Sequence, residues 1–227
     1  MLADLAGAPM VVRVAERARH SQAQSITIAT DDERIAVAAK AHGFAAIMTH
    51  TDHATGTDRL AQAAALLAFA SDDIVVNVQG DEPLIDPAVI DAVALALKAD
   101  AKADIATCAS PMGPDESISD PNVVKVVCTA AGHALYFSRA VIPYARNPQG
   151  GAAVLHHIGL YAYRVSFLEA FPHLTHGLLE ATESLEQLRA LEHGFKIKVH
   201  LIDQPSAGGI DTPQDLLKAQ QIFKSQY

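Results

Sequence analysis

The sequence predicts an α/β protein in which helices flank a mostly parallel central sheet that carries an antiparallel excursion. Strand and helix patterns alternate as far as Leu97, which is typical of right-handed βαβ units. Ile74, Val75 and Val76 form a continuous β-branched run, as expected of a parallel strand that is buried on both faces. After Ala103 the pattern changes to extended segments with little helix between them.

The elements of the first half follow from their boundary residues. Pro9 predicts the start of a helix, because proline is favoured in the first turn. Asp86 and Pro87 predict an N-cap and a first helical residue, with the helix ending near Leu97. Hydrophobic patterning predicts the elements between them, which are a strand at 25–30, a helix at 33–42, a strand at 45–48, a helix from about 60 to 68 and a strand at 74–79.

The second half is predicted to be mainly extended before it returns to helix. We interpret residues 104–164 as an antiparallel insertion, a lid or a dimer surface, within one domain that spans residues 1–227. The predicted strands lie at 104–109, 123–128, 133–137, 157–164 and 196–202, and the predicted helices at 167–171, 180–193 and 213–223.

The bulk properties narrow the function classes. The formal net charge of −9 argues against nucleic acid as a partner, because phosphate backbones are bound through basic patches. No apolar run approaches the roughly 18 residues that a membrane span needs, and the N-terminus has no signal-peptide pattern. Cys108 and Cys128 both lie in apolar runs, which predicts buried thiols in a reducing cytosol. We therefore expect a cytoplasmic protein without membrane or nucleic-acid partners.

Two carboxylates follow the strand that begins at Ile74. Asp81 and Glu82 come directly after Gly80, and ligands of open α/β sheets bind beyond the carboxyl ends of the strands. Carboxylates at this position are suited to hold Mg²⁺ and, through it, phosphates. A solvated turn is the alternative interpretation of this segment.

Asp211 is a second candidate for metal binding. Thr212 and Asp215 form a predicted capping box, with Pro213 at the first helical position, and this cap does not require Asp211. If Asp81 and Asp211 face one site, the pair fits Mg²⁺, which usually takes one or two carboxylates and completes its shell with phosphate and water.

The segment around Arg59 combines a helix start with a cation. Thr55 and Asp58 are consistent with another capping box, which is a purely structural interpretation. Arg59 lies at the start of the helix, where a guanidinium and free amide groups favour anions. Gly56 permits the close approach of a ligand to the backbone.

Three further polar segments allow both functional and structural interpretations. Arg139 follows a hydrophobic strand, where a cation needs an anionic partner. His156 and His157 point to opposite faces of a strand and cannot chelate one metal. The polar run that ends at Arg189 is also consistent with a solvated helix face.

Seven motifs in order resemble one family across nearly the whole chain. They are TGTDR at 55–59, VNVQGDEP at 76–83, NVVKV at 122–126, YFSR at 136–139, HIGLY at 157–161, LEQLR at 185–189 and GIDTP at 209–213. This set closely resembles the 3-deoxy-D-manno-octulosonate (Kdo) cytidylyltransferases. The resemblance implies a Rossmann-like nucleotide-diphospho-sugar transferase fold, a homodimer, and the conversion of CTP and Kdo to CMP-Kdo and pyrophosphate for lipopolysaccharide biosynthesis.

The resemblance also implies roles for individual residues. It implies that Asp81 and Asp211 hold the catalytic Mg²⁺ and that Arg139 takes part in catalysis. The implied nucleotide-binding residues are Arg59, Gln79, Gly56 and Thr57. The implied pocket for the acidic sugar contains Gln79, Arg139, His157, Tyr161, Glu186 and Gln187.

The resemblance has one departure. The family begins with a strand and a loop of the type Ala-Arg-x-x-Ser-x-Arg-Leu-Pro-x-Lys, which wraps the triphosphate, and this segment is expected before Met1. A start codon assigned too late, a shortened chain and a true variant are the three interpretations, of which the first is favoured because the other motifs are intact. The sequence leaves open two other functions, which are cytidylyl transfer to 8-amino-Kdo or a sialic-acid-like sugar and a non-catalytic nucleotide- or sugar-binding remnant.

Overall fold

The computed structural model describes residues 1–113, 116–147, 152–203, 209–210 and 212–226. The chain forms two compact units. Unit 1 consists of Met1–Ala68, Asn77–Asp91 and Ser206–Tyr227, and unit 2 of Phe69–Val76 and Ala92–Pro205.

The helices and strands are as follows in chain order. They are β1 (Asp4–Leu5), β2 (Ala8–Pro9), α1 (Met10–Ala18), β3 (Thr27–Thr30), α2 (Glu33–Ala41), β4 (Ala45–Met48), α3 (Gly56–Leu66), β5 (Ile74–Asn77), α4 (Pro87–Ala99), β6 (Ile105–Pro111), β7 (Lys125–Cys128), β8 (Ala134–Ser138), β9 (Leu155–Arg164), α5 (Val165–Ala170), a 3-10 turn (Phe171–His173), α6 (Leu178–Glu183), α7 (Gln187–Glu192), β10 (Ile197–Leu201) and α8 (Pro213–Gln226).

Unit 1 is built around α1 and a parallel pair of strands. β3 and β4 pair in parallel, and the buried side chains of Val12 and Ile28 share one core cluster with Phe44. Pro9 is the residue before α1, whereas the sequence predicts it inside the first turn, so the helix begins one residue later than expected. The short antiparallel hairpin of β1 and β2 was not predicted, because two residues per strand carry no periodic pattern.

Unit 2 contains a sheet of mixed direction. Its strands follow the order β10-β6-β9-β7-β8, with β5 beside β9. β10 and β6 are parallel, whereas β9 is antiparallel to both β6 and β7, and β7 is antiparallel to β8. The α/β class and the predicted antiparallel strands after Ala103 are therefore confirmed.

A bulge in β9 shapes the face of this sheet. Thr107 pairs with Tyr161, but the next residue, Cys108, pairs with Ile158. The Thr107 hydroxyl lies against the carbonyls of Ile158 and Leu160 at 3.0 and 2.8 Å. These contacts satisfy backbone groups that the bulge removes from the regular ladder.

The prediction of a single helix at 180–193 is wrong, because two short helices occupy this region. It is divided into α6 and α7 by Ser184, which ends α6 in a left-handed conformation with φ 51°. The backbone carbonyls of Glu183 and Ser184 accept hydrogen bonds from Arg139 at 2.7 and 3.3 Å. The tertiary contact therefore takes carbonyls that a continuous helix would use, and no glycine or proline marks the break in the sequence.

Two further findings concern the environment of the chain. Within the described ranges, no helix has both the length and the apolarity that crossing a membrane requires. Cys108 and Cys128 are free thiols, and burial raises the pKa of Cys108 to about 12. Since the thiolate is the reactive form, Cys108 is inert at neutral pH.

Candidate active site

Asp81 lies in the turn that follows β5 in unit 1. Its backbone carbonyl accepts a hydrogen bond from the Ile210 N–H at 2.8 Å. Burial, together with the charge of Asp81, raises the pKa of Glu82 to about 7. Among the described residues, no donor contacts the Asp81 carboxylate, and Glu82 Oε2 is buried without a partner. The turn therefore concentrates negative charge that the described residues leave uncompensated.

The segment before Asp211 lies against Asp81. A Cβ placed on Gly209 would lie 3.7 Å from the Asp81 Cγ, which is ordinary van der Waals contact. Asp211 itself lies outside the described residues, so its pairing with Asp81 stays a prediction. The neighbouring capping box is confirmed, because the Thr212 hydroxyl donates to Asp215 Oδ2 at 2.7 Å and accepts from the Asp215 N–H at 3.2 Å.

Arg59 is held by residues at the ends of β3 and β4. Its Nη2 donates to Asp31 Oδ2 at 2.8 Å and its Nη1 to the Thr49 hydroxyl at 2.6 Å. The hydrogen bond from Arg59 lowers the pKa of the Asp31 carboxyl. Sequence reasoning missed Asp31 as the partner of Arg59, although an acidic residue directly after a strand was a usable signal.

The other predicted nucleotide-binding residues differ in exposure. Gln79 is exposed, and a Cβ added to Gly56 would meet nothing within 4 Å. The Thr57 side chain is buried. Thr55 caps α3 by accepting from the Asp58 N–H at 3.2 Å, which confirms the structural interpretation of that pair. Gly56 and Gln79 are therefore the exposed residues of this set, and Thr57 has the least accessible side chain.

Arg139 directly follows β8 in unit 2. Its guanidinium donates to three backbone carbonyls, from Nε to Glu183, from Nη1 to Pro121 and from Nη2 to Ser184. A guanidinium has five N–H donors, so two of them have no acceptor among the described residues. Two parallel donors are what a carboxylate needs for bidentate recognition.

Glu183 is a functional candidate that sequence reasoning missed. Its carboxylate accepts from the Ser138 hydroxyl at 2.6 Å, from the Arg139 N–H at 2.9 Å and from the Tyr136 hydroxyl at 3.4 Å. Burial alone would raise the pKa of Glu183, but these hydrogen bonds and the charge of Arg139 outweigh it and lower the pKa. Glu183 therefore stays ionised and is the anionic neighbour that the position of Arg139 requires.

His157 is a neutral histidine on the same sheet as Arg139. Its Nε2 lies 3.0 Å from the Thr107 hydroxyl, whose one proton is directed to the carbonyls beside the bulge. We therefore assign the proton of His157 to Nε2, which leaves Nδ1 as an acceptor. Burial lowers the pKa of His157 to about 3. His156 instead contacts Glu116 Oε1 at 2.6 Å through Nδ1, so the two histidines have separate partners.

Tyr161 and its neighbours complete the polar set. The Tyr161 ring lies 5.4 Å from that of His157, and its hydroxyl is buried with no hydrogen-bond partner among the described residues. Burial, with a contribution from the charges of Tyr163 and Glu186, raises the pKa of Tyr161 well above its ordinary value. Glu186 and Gln187 are half-buried at the start of α7. The structure therefore brings a neutral hydroxyl donor close to the neutral His157 ring.

Arg189 does not belong to a solvated face. It is buried and donates to both carboxylate oxygens of Glu180, at 2.8 Å from Nε and 2.5 Å from Nη2. Its guanidinium also stacks over the Phe171 ring at 4.4 Å. Arg189 is therefore a structural residue that fixes α7 to α6 and the turn before it.

The buried His157 predicts a pH dependence of stability. The pKa of His157 is about 3 in the folded chain and near 6.5 when unfolded, so the unfolded chain binds the extra proton first as the pH falls. Stability should decrease from pH 6.5 down towards 3, and urea unfolding at several pH values measures it. His157→Gln, which cannot titrate, should show a smaller loss between pH 7 and 5. An equal loss in both proteins would contradict the assignment of a neutral His157.

Substitution of Gly177 should lower stability by disturbing the cap of α6. The Glu192 carboxylate accepts from the N–H groups of Leu179 and Glu180 at 3.2 and 3.3 Å and so caps α6. A Cβ on Gly177 would overlap that carboxylate. Gly177→Ala should therefore cost about 1 kcal/mol of unfolding free energy, since a helix cap is lost, and a urea midpoint measures it. Gly159→Ala is the matched control, because a Cβ there meets nothing within 4 Å; equal midpoints would show that Glu192 is not a cap.

The two units carry different chemistry. Unit 1 presents an acidic turn at Asp81 and an open backbone at Gly56, which suit a metal ion and phosphates. Unit 2 presents a cation at Arg139, an acceptor nitrogen at His157 and a donor hydroxyl at Tyr161, which suit a polar anion with hydroxyl groups. Within the described ranges, no group of three or more His, Cys, Asp or Glu residues could hold a metal by itself.

Comparisons with known proteins identify the family of the chain. The family model described as cytidylyltransferase matches residues 1–197. The solved structure of a CMP:2-keto-3-deoxy-manno-octonic acid synthetase complexed with CTP is 37% identical to this chain and superimposes with a TM-score of 0.92. The match covers 100% of this chain and 92% of that one.

Proposed function

We propose that this chain, which belongs to the cytidylyltransferase family, transfers CMP from CTP to Kdo and releases pyrophosphate. The observation that carries the proposal is the 37% identity, over the whole chain, to a synthetase named for CMP and the same sugar acid. The chain is a nucleotidyltransferase, and the identity of its acceptor is the part that we propose. The CMP-Kdo product would then serve lipopolysaccharide biosynthesis.

The sugar acid is the acceptor that best fits the polar groups of unit 2. Kdo carries a carboxylate, and Arg139 has two donors that no described acceptor uses. Kdo also carries several hydroxyls, which can donate to His157 Nδ1 and accept from the Tyr161 hydroxyl. Both side chains are neutral, since burial moves the pKa of each away from the charged form. Neutral partners match hydroxyl groups, and the Arg139 guanidinium matches the carboxylate.

Mg²⁺ is the cofactor that fits unit 1. Asp81 supplies a hard carboxylate oxygen without a described donor, beside Glu82, whose pKa is raised to about 7 mainly by burial and further by the charge of Asp81. We propose that Asp81 and Asp211 hold the ion. When bound, Mg²⁺ neutralises charge on the triphosphate and lowers the barrier to displacement.

The chemistry requires little more than alignment. The anomeric hydroxyl of Kdo attacks the α-phosphorus of CTP, a new phosphorus–oxygen bond forms, and the bond to pyrophosphate breaks in line with it. The hydroxyl proton leaves to solvent or to a basic group. We propose that Gln79, Gly56, Thr57 and Arg59 bind the nucleotide, with Gln79 also reaching the sugar, and that Glu186 and Gln187 contact the sugar. Arg139 binds the carboxylate and so orients the attacking hydroxyl.

Assembly and location complete the proposal. We propose a homodimer that forms through residues 104–164, where Leu135 and Tyr144 are exposed apolar side chains. We also propose a cytoplasmic enzyme, because Cys108 and Cys128 are free thiols. Sedimentation of the purified chain tests the dimer.

A panel of acceptors tests the choice of sugar. Pyrophosphate release is measured with CTP and Mg²⁺ and with Kdo, 8-amino-Kdo or a sialic acid as the acceptor. The proposal predicts the highest kcat/KM with Kdo. A higher kcat/KM with another acidic sugar would replace Kdo as the substrate, and CTP binding without turnover on any acceptor would favour a binding remnant.

A further inference from the structure

We infer that Glu183 and Lys125 are positioning residues that hold the backbone of Arg139 from both sides and so fix the sugar-binding guanidinium. The inference rests on the proposed function for its substrate, but its geometry stands on contacts within unit 2. Arg139 directly follows β8, so its own backbone groups lie beyond the regular ladder. The backbone N–H of Arg139 donates to the anionic Glu183, and its backbone carbonyl accepts from the cationic Lys125. We call these two side chains the clamp.

Glu183, on one side of the clamp, accepts hydrogen bonds from three donor groups. One carboxylate oxygen of Glu183 accepts from the Arg139 backbone N–H at 2.9 Å, and the other accepts from the Ser138 hydroxyl at 2.6 Å. The Glu183 carbonyl accepts from Arg139 Nε at 2.7 Å. Glu183 thus contacts both the backbone N–H and the side-chain Nε of Arg139. These contacts fix the backbone of the arginine and the orientation of its guanidinium.

The Lys125 side uses a buried ammonium. Lys125 is fully buried, and its Nζ donates to the carbonyls of Arg139, Asp120 and Val123 at 2.7, 2.9 and 2.6 Å. An ammonium has three donors, so all of its donors are used. Lys125 therefore cannot bind the sugar itself.

The two sides meet at the loop between Asp120 and Val123. Lys125 holds this loop at both ends, and the carbonyl of Pro121 within it accepts from Arg139 Nη1 at 2.9 Å. The loop, the left-handed break after Glu183 and the end of β8 thus converge on one guanidinium. Such supporting contacts hold a binding group in its productive geometry before the ligand arrives.

The test compares mild changes in the clamp with a distant core change. Ser138→Ala removes one donor to Glu183, and Glu183→Gln removes the charge while it keeps an acceptor oxygen. Lys125→Met is a third variant, which is harsher because it leaves three carbonyls without a donor. Leu168→Ala in α5 is the control for lost stability, since Leu168 is fully buried. Two readouts are taken on the full chain, namely hydrogen exchange of the Arg139 Nε–H by NMR and the binding of Kdo and CTP by calorimetry.

The clamp predicts a specific pattern in both readouts. Glu183→Gln, Ser138→Ala and Lys125→Met should each speed exchange at Arg139 Nε–H and weaken Kdo binding by about tenfold, with CTP binding kept. Leu168→Ala should lower the melting temperature without either effect. Unchanged exchange and unchanged Kdo affinity in folded Glu183→Gln and Ser138→Ala would overturn the inference. If the unaltered chain does not bind Kdo, the proposed function fails, and the exchange data alone then decide whether the clamp exists.

Discussion

Asp81→Asn should lower turnover by about a thousandfold, because in the proposed function it removes a charge that would hold Mg²⁺ against the triphosphate. Asparagine has nearly the same shape, and the described residues donate no hydrogen bond to the Asp81 carboxylate, so the fold should not change. Pyrophosphate release with CTP, Kdo and Mg²⁺ measures the loss, and thermal unfolding checks the fold.

The matched control for this result is Asp52→Asn. Asp52 is an exposed aspartate of the same unit, so its neutralisation changes the net charge equally without touching the turn after β5. Turnover of Asp52→Asn should equal that of the unaltered chain. If Asp81 is a metal ligand, the Asp81→Asn variant should also need a higher Mg²⁺ concentration to reach its half-maximal rate. Near-normal turnover and an unchanged Mg²⁺ requirement in Asp81→Asn would remove Asp81 from the metal site.

Arg139→Ala should raise the Kd for Kdo by about a hundredfold and leave the Kd for CTP unchanged. In the proposed function this substitution removes a charge-assisted contact with the sugar carboxylate, which is worth more than a neutral hydrogen bond. Calorimetric titration of each substrate separately measures the two constants.

Two comparisons make the Arg139 result specific. Arg34→Ala removes an arginine whose side chain is 79% exposed in unit 1, and both substrates should bind normally. Arg139→Lys keeps the charge but loses the planar fork, so it should recover part of the affinity for Kdo. Equal losses for CTP and Kdo in Arg139→Ala would assign Arg139 to a different role.

Much of the fold could be predicted because it follows from local signals. The start of α1 after Pro9, the cap at Thr55 and the capping box at Thr212 each depend on a few adjacent residues. The change to antiparallel pairing after Ala103 was visible because the helical periodicity disappears there. Local chemistry of this kind is present in the sequence itself.

The rest could not be predicted because it depends on contacts between distant residues. The helix breaks at Ser184, whose carbonyl accepts a hydrogen bond from Arg139, a residue 45 positions away in the sequence. Glu183 and Lys125 look like ordinary charged residues in the sequence, and only the fold shows that they hold the backbone of Arg139. The interpretation of Arg189 as part of a solvated face fails for the same reason, since its partner Glu180 lies on the other side of the helix break.

The reaction products distinguish cytidylyl transfer to Kdo from the alternative functions. The chain is incubated with CTP, Kdo and Mg²⁺, and ³¹P NMR with mass spectrometry identifies every phosphorus compound that forms. We expect CMP-Kdo, a phosphodiester, and pyrophosphate in equal amounts, with neither formed when Kdo is omitted. Binding of both substrates without any CMP-Kdo, or CMP released from CTP without the sugar, would contradict it.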